Sequence, residues 1–163
     1  MSAAIDTEVL VRVIVRAPTA ATQCAAAKCV VAEASASGEP LLITLRALLE
    51  TKGVLRSRYK FDRASMTAAV IAMLETPGIE FEQAPTVEEA LYLFEQVPPA
   101  DFEDCLLVAR ATRLGRDRFL IFDAGAAKLP RAEWVQRFRK GAHRGGHGAG
   151  AMPICSRRTG SRR

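Results

Sequence analysis

Residues 100–123 constrain the fold of this chain more than any other stretch. A tight acidic cluster opens the segment, and apolar side chains then recur at helical spacing over residues 102–112. Gly115 ends the predicted helix, and the apolar run at 119–122 stops abruptly at Asp123. The segment therefore predicts a helix, a turn and a buried strand that carries a carboxylate at its carboxyl end. In open α/β sheets, ligands bind at that edge.

Four acids are predicted to meet at this edge. Asp6 follows the first strand candidate, Glu50 lies on the helix after the second, and Asp104 falls in the first turn of its helix. Right-handed crossovers bring the carboxyl ends of parallel strands together, and Asp123 ends one of them. An oxygen-rich site of this kind suits Mg²⁺ or Mn²⁺. Taken singly, each acid is better explained as a helix cap or a solvated group, so the prediction depends on their joint placement.

Strand candidates alternate with helical segments along the chain. The strand candidates are residues 3–5, 41–43, 79–82, 119–122 and 133–135. The helical segments are residues 8–16 with Thr7 as the predicted cap, 19–36, one opened by Thr44, 62–75, one capped by Thr86 and the one that contains Asp104. This alternation predicts an α/β fold with a parallel sheet covered by helices on both faces.

The basic charge of the chain is concentrated at its end. The 163 residues fit one domain, and the net charge is +5. No acid follows Glu133, whereas eight Lys and Arg residues do, so the remainder of the chain is slightly acidic. Beyond Val135, scattered Gly and Arg without an apolar period predict a disordered tail. We therefore predict a folded domain at residues 1–135 and a basic disordered tail at 136–163.

The sequence favours a cytoplasmic protein. No apolar run approaches the roughly 20 residues of a membrane span, and the N-terminus lacks the basic and apolar regions of a signal peptide. The four cysteines form no C-x-x-C pair, and Cys24 and Cys29 are predicted on different faces of one helix. Buried free thiols in a reducing compartment are expected, with neither a zinc site nor a disulfide framework.

Four separated segments carry a resemblance to a known family. They read IDTEVLVRVIVR, LLETKGVLRSRYKFDR, ADFEDCLLVARATRLG and FLIFDAGAAKLP. In order and spacing they resemble the PIN-domain ribonucleases, and within these the VapC-type toxins of bacterial toxin–antitoxin pairs. The resemblance covers residues 4–135. It implies a three-layer sandwich, in which a mainly parallel central sheet has helices on both faces.

The resemblance also implies an activity and a set of partners. It implies a metal-dependent endoribonuclease in which Asp6, Glu50, Asp104 and Asp123 hold Mg²⁺ or Mn²⁺ and hydrolyse RNA phosphodiesters. Bound cations would activate a water and neutralise charge on the phosphate, with Glu50 as a ligand or as the group that orients the water. Asp101 matches a less strict acidic position of the family. An RNA substrate, a cognate antitoxin protein and a homodimer are implied as partners, without a membrane.

Two positions depart from the family pattern and keep a second function open. Glu8 stands where the family usually has Asn, and Ile121 stands where it usually has Thr or Ser. Ile121 and Asp123 are predicted on the same side of a strand, so a hydroxyl that would support the metal site is missing. The alternative is a PIN-fold protein with weakened catalysis that acts mainly as an antitoxin- or RNA-binding module.

Several arginines are candidates for binding RNA phosphates. They are Arg56, Arg58, Arg63, Arg110, Arg113, Arg116 and Arg118, together with Lys60. A solvated helix face explains them equally well. A phosphotransfer domain of the receiver or haloacid-dehalogenase type would also place Asp6 after the first strand. The latter class needs a second Asp followed by Gly and Thr, whereas this chain has Glu8-Val9-Leu10.

Overall fold

The computed structural model of the chain describes residues 3–135. Its strands are β1 (Ala3–Ala4), β2 (Leu41–Ile43), β3 (Ile79–Phe81), β4 (Phe119–Ile121) and β5 (Ala132–Trp134). Its helices are α1 (Thr7–Ile14), α2 (Ala21–Ser37), α3 (Leu45–Tyr59), α4 (Arg63–Leu74), α5 (Ala84–Gln96) and α6 (Phe102–Arg113), with 3₁₀ turns at Pro18–Ala20 and Ala126–Lys128. The α/β prediction is confirmed. The predicted tail, residues 136–163, lies outside the described residues.

The strands form two short parallel sheets. In the first, β2 lies between β1 and β3, with Leu41 opposite Ala3 on one side and Ile79 on the other. In the second, β4 pairs with β5. The sequence predicted one sheet, but within residues 3–135 no strand pairs with the outer edge of β1. Since β1 is two residues long and exposed, that edge offers few backbone groups for pairing.

Short polar side chains cap the N-termini of most of the helices near the acidic edge. The side chains of Asp6, Thr44 and Asp101 accept hydrogen bonds from backbone N–H groups at the starts of α1, α3 and α6. Two predicted caps are wrong. Asp6 rather than Thr7 caps α1, and α5 begins at Ala84, before Thr86. The Thr86 side chain is buried, and its hydroxyl has no hydrogen-bond partner.

A hydrophobic core fixes the start of α6. Phe102, its first residue, is fully buried and packs edge-to-face against Phe94 of α5, with ring centroids 5.7 Å apart. Val108 lies further along the same buried face. Removing a buried phenyl ring such as that of Phe102 typically costs about 3–5 kcal/mol. Packing of this strength fixes the first turn of α6, which carries Asp104.

The cysteines divide between core and surface. Cys24 and Cys105 are buried free thiols, as predicted, whereas Cys29 is an exposed free thiol. The prediction of a buried thiol is wrong for Cys29 because α2 buries a single stripe, to which Cys24 belongs and Cys29 does not. Cys155 lies outside the described residues. None of the helices in residues 3–135 has both the length and the apolar character needed to cross a membrane.

Candidate carboxylate site

The segments that carry the first two predicted site residues are in contact through Thr7. Asp6 follows β1, and its Oδ1 accepts a hydrogen bond from the backbone N–H of Val9 at 2.9 Å. The neighbouring Thr7 donates its hydroxyl hydrogen to Oε2 of Glu50 on α3 at 2.8 Å. This bond joins the start of α1 to the middle of α3. The segments that follow β1 and β2 thus bring Asp6 and Glu50 to one region of the surface.

The charge of Glu50 is compensated by groups of the protein. Its Oε1 accepts a hydrogen bond from Nε of Arg46 at 3.0 Å, and a second guanidinium nitrogen lies 2.9 Å away. The hydrogen bond from Thr7, followed by the positive charge of Arg46, lowers the pKa of Glu50 below its ordinary value. Both carboxylate oxygens are therefore engaged. Glu50 needs no bound cation to remain ionised at neutral pH.

Asp104 is in the opposite electrostatic situation. It is half-buried in the first turn of α6. Burial raises the pKa of Asp104 above its ordinary value. A hydrogen bond from the Asp101 backbone opposes that rise, and the negative charges of Asp101, Asp123 and Glu103 add to it. Among these, Asp123 comes from a distant part of the chain, so the fold brings two of the four predicted acids together here.

A close backbone approach holds Asp123 against the start of α6. Oδ1 of Asp123 accepts a hydrogen bond from the backbone N–H of Ala126 at 2.7 Å. Gly125 lies between them and touches the chain that leads into α6. A Cβ added at Gly125 would stand 2.7 Å from the carbonyl oxygen of Pro99 and 3.0 Å from Oδ1 of Asp123. Because glycine lacks that atom, the Asp123 loop can pack directly on the segment before Asp104.

The four acids are grouped as two pairs: Asp6 with Glu50, whose segments Thr7 links, and Asp104 with Asp123, whose charges interact. Within residues 3–135, no three acidic, histidine or cysteine side chains are placed so that they could hold one metal ion together. Asp104 and Asp123 do fit a hard divalent cation, because they offer carboxylate oxygens whose mutual repulsion a cation would relieve. Glu50 fits less well, since Thr7 and Arg46 occupy its oxygens.

Asp101 has a structural role, because it caps α6 and binds two basic side chains of α3. Its Oδ1 accepts from the backbone N–H of Phe102 at 2.9 Å, which caps α6. Its Oδ2 accepts from Nζ of Lys52 at 2.5 Å and from Arg56 at 3.2 Å. Burial alone would raise the pKa of Asp101, but the hydrogen bond and charge of Lys52, with smaller contributions from Phe102 and Arg56, lower it.

Lys52 is the residue that sequence reasoning missed. It is buried on α3, with 8% of its surface exposed. A signal was present, because Lys52 follows Leu48 by four residues on the inward face of the helix and Leu55 comes three residues later. An ammonium group at an inward helical position requires an acidic partner. That requirement would have pointed to an acid such as Asp101.

Arg63 also serves the structure. Its guanidinium donates hydrogen bonds to the backbone carbonyls of Phe94, Pro98 and Ala100. It also lies over the Phe94 ring, 3.6 Å from the centroid. These contacts join the end of α5 to the start of α6. Arg63 is therefore engaged inside the protein, and these contacts explain its position without an RNA phosphate.

Most of the other candidate arginines have partners within the protein. Arg110 donates to Oε1 of Gln83 at 3.1 Å, and Arg113 lies 3.2 Å from Glu89. Arg118 pairs with Glu133 at 2.6 Å. Such exposed pairs are worth only about 0–1 kcal/mol, so they can be exchanged for other anions.

The two departures from the family pattern occupy different surroundings. Glu8 is exposed on α1 and shares with Asp6 the lining of a cavity of ≈ 560 Å³ between α1 and α2. Ile121 is half-buried and packs against the core, as an apolar residue at this strand position should.

Cys105 follows Asp104, and burial raises the pKa of its thiol to about 11. The Cys105 thiol is therefore protonated at neutral pH and is not a nucleophile.

No protein-family model matches the chain, and no curated protein matches it at a significant level.

Proposed function

We propose that the chain is a metal-dependent endoribonuclease that hydrolyses RNA phosphodiesters at Asp6, Glu50, Asp104 and Asp123. The close approach of Gly125 to Pro99 carries the proposal, because it packs the loop of Asp123 on the segment that leads into the helix of Asp104. Acids after parallel strands and in the first turn of a helix are what the resemblance to PIN-domain ribonucleases implies. A three-layer PIN-like sandwich belongs to the same proposal.

The four acids have different roles in this proposal. Asp104 and Asp123 would hold Mg²⁺ or Mn²⁺, and Asp6 and Glu50 would extend the site toward α1 and α3. When bound, such a cation supplies an activated water and neutralises charge on the attacked phosphate. Glu50 is held in one orientation by Thr7 and Arg46, which suits a group that orients the attacking water. Asp6 keeps one oxygen free of its helix cap, because only Oδ1 accepts from Val9.

The biological setting follows from the same resemblance. We propose a cytoplasmic toxin of a toxin–antitoxin pair, which acts on RNA, forms a homodimer and is held inactive by a cognate antitoxin protein. Residues 1–135 would form the catalytic domain, followed by a basic tail at 136–163.

The experiment is cleavage of a mixed RNA substrate by the purified full chain with Mn²⁺ and with EDTA. We expect cleavage that EDTA abolishes and that Asp104→Asn lowers by roughly a hundredfold, since a metal ligand is lost. Glu103→Gln is the matched control, because Glu103 is an exposed neighbour whose nearest cation, Lys52, is 3.9 Å away. Equal rates for wild type and Asp104→Asn would contradict the proposal.

A second candidate function is an antitoxin- or RNA-binding module with weakened catalysis. The full engagement of the Glu50 oxygens favours it, as does the extra negative charge of Glu8 beside Asp6. RNA binding by the purified chain without Mn²⁺-dependent cleavage would support this function over the first.

A further inference from the structure

A polar cavity lies between the end of α1, the end of α3 and the start of α2. It measures ≈ 400 Å³. Arg12 lines it from the last turn of α1, and Arg58 and Tyr59 line it from the end of α3. Every polar side chain of the lining carries a hydrogen-bond donor, and none is a carboxylate. The cavity therefore suits an anion, and it lies at the other end of α1 from Asp6.

Arg12 is held in place by uncharged groups. Its Nε donates to Oε1 of Gln23 at 3.0 Å, and another guanidinium nitrogen donates to the hydroxyl oxygen of Tyr59 at 3.2 Å. These bonds join α1 to α2 and α3 and fix the guanidinium without neutralising its charge. A guanidinium has more N–H donors than these two bonds use, so Arg12 can also bind an anion.

Arg58 adds a second positive charge to the cavity. It is exposed, and its guanidinium carbon lies 5.8 Å from the centroid of the Tyr59 ring. Among residues 3–135, neither guanidinium of the cavity forms an ion pair with an acid, whereas those of Arg46 and Arg113 do. Two like charges at one cavity repel each other, and a bound anion would relieve that repulsion.

The first turn of α2 borders the same cavity. Ala21, Thr22 and Gln23 line it, and no side chain caps the N-terminus of this 17-residue helix. The first backbone N–H groups of a helix have no partner within the helix, and the helix dipole places partial positive charge there. The uncapped start of a long helix beside two guanidinium groups favours a negatively charged ligand.

We propose that this cavity binds a doubly charged phosphate group, either as the free ion or at the end of an ester. Two guanidinium groups and the positive end of α2 match its two negative charges. The donors belong to three helices, so a group with three free oxygens satisfies them better than a carboxylate with two. Since one water occupies roughly 30 Å³ of liquid, a cavity of ≈ 400 Å³ leaves room for the organic part of an ester. The inference goes beyond the proposed function and does not depend on it.

Calorimetric titration of the full chain tests the site. The buffer contains EDTA and no phosphate, at a pH of about 7.5, where a phosphate monoester is doubly charged because its second pKa is about 6. The probes are inorganic phosphate, glycerol 3-phosphate as a monoester, and dimethyl phosphate as a diester with a single negative charge. We expect the free ion or the monoester to bind at least about tenfold more tightly than the diester, which lacks the second charge and the third free oxygen. The tighter of the two identifies the form that the site takes. Equal affinity for the diester, or no binding of any probe, would overturn the inference.

Arginine variants test which charges matter. Arg58→Gln should weaken phosphate binding by about tenfold, since a charged hydrogen bond is lost, and the fold should be kept because Arg58 is exposed. Arg12→Gln should weaken binding at least as much. Arg16→Gln is the matched control, because Arg16 is exposed just after α1 and does not line the cavity, and its affinity should stay within about twofold of wild type. Equal affinities for wild type and Arg58→Gln would overturn the inference.

A third variant separates phosphate binding from the stability of α2. Ala20→Asp places a carboxylate at the N-cap of α2, where it competes with the phosphate but interacts favourably with the helix dipole. We expect this variant to lose phosphate binding while its melting temperature stays the same or rises. Phosphate binding at wild-type affinity in Ala20→Asp would overturn the inference.

Discussion

The two carboxylate pairs differ in how their charge is compensated. Near α1 and α3, Thr7 and Arg46 lower the pKa of Glu50, so its ionised form stabilises the fold without any ligand. At the start of α6, burial and the charges of Asp101 and Asp123 raise the pKa of Asp104, so its ionised form is a cost to the fold. An acid whose pKa is raised, as that of Asp104 is, is one whose ionised form a bound cation would stabilise. Under the proposed function, the difference favours Asp104 and Asp123 as the centre of the metal site and Glu50 as its support.

The two pairs also differ in what positions them. Glu50 lies on the exposed face of α3, with its side chain 48% exposed. Asp104 lies in a turn that is fixed from within by Phe102, Lys52 and Arg63. Substitutions in that internal support should therefore disturb the Asp104 pair and leave the Glu50 pair intact.

The largest effect is expected from Arg63→Met. The substitution leaves three backbone carbonyls without their donor and should lower the free energy of unfolding by roughly 2–4 kcal/mol. Urea denaturation measures the change. Arg58→Met is the control, since Arg58 is exposed and lies 5.8 Å from the Tyr59 ring centroid. Similar losses in both variants would show that Arg63 has no special part in holding α6.

A smaller effect is expected from Gly125→Ala. Its methyl group would stand 2.7 Å from the Pro99 carbonyl, so the Asp123 loop must move away from α6. We expect a loss of about 1–3 kcal/mol and weaker Mn²⁺ binding. Gly53→Ala is the control because it has open space within α3, and it should raise stability by about 0.5–1 kcal/mol. Unchanged Mn²⁺ affinity in Gly125→Ala would show that the contact of the Asp123 loop with Pro99 is not needed for metal binding.

The smallest effects are expected from neutralising Asp104 or Glu50 in the absence of metal, and the two changes in melting temperature should have opposite signs. The pKa of Asp104 is raised above 3.8, so its charge destabilises the fold above the folded pKa, and the penalty vanishes as the pH falls below 3.8. Asp104→Asn should therefore raise the melting temperature near neutral pH and lose that gain in acid.

Glu50 should behave in the opposite way. Its pKa is lowered below 4.5, so its contribution is present above 4.5 and is lost as the pH falls through the folded pKa. Glu50→Gln should lower the melting temperature near neutral pH, and added salt should weaken the effect because the group is exposed. Melting temperatures that shift in the same direction for both variants would show that the two charges do not have opposite effects on the stability of the fold.

The local structure of the acidic edge could largely be predicted from the sequence. Apolar periodicity located α6, the turn at Gly115 and the following strand, because these signals come from neighbouring residues. The prediction that this strand is buried is wrong, since Leu120 is 61% exposed in a two-stranded sheet that is not covered on both faces. The strand Leu41–Ile43 was predicted with its observed ends. Asp104 fell in the first turn of its helix, as expected.

Contacts between distant residues could not be predicted in the same way. The partnership of Lys52 with Asp101, and that of Arg63 with three carbonyls, depend on how α3, α4 and α5 pack around α6. The separation of β4 and β5 from the first sheet is a matter of strand pairing between distant residues, which periodicity does not specify. The division of the four acids into two pairs likewise arises from tertiary placement.

Calorimetric titration of Mn²⁺ tests most directly whether Asp104 and Asp123 form the centre of a metal site. The full chain, Asp104→Asn and Glu50→Gln are titrated under one buffer condition at neutral pH. We predict that Asp104→Asn loses measurable binding and that Glu50→Gln keeps it within about tenfold of wild type. Wild-type affinity in Asp104→Asn would contradict the account, most clearly if Glu50→Gln had lost it.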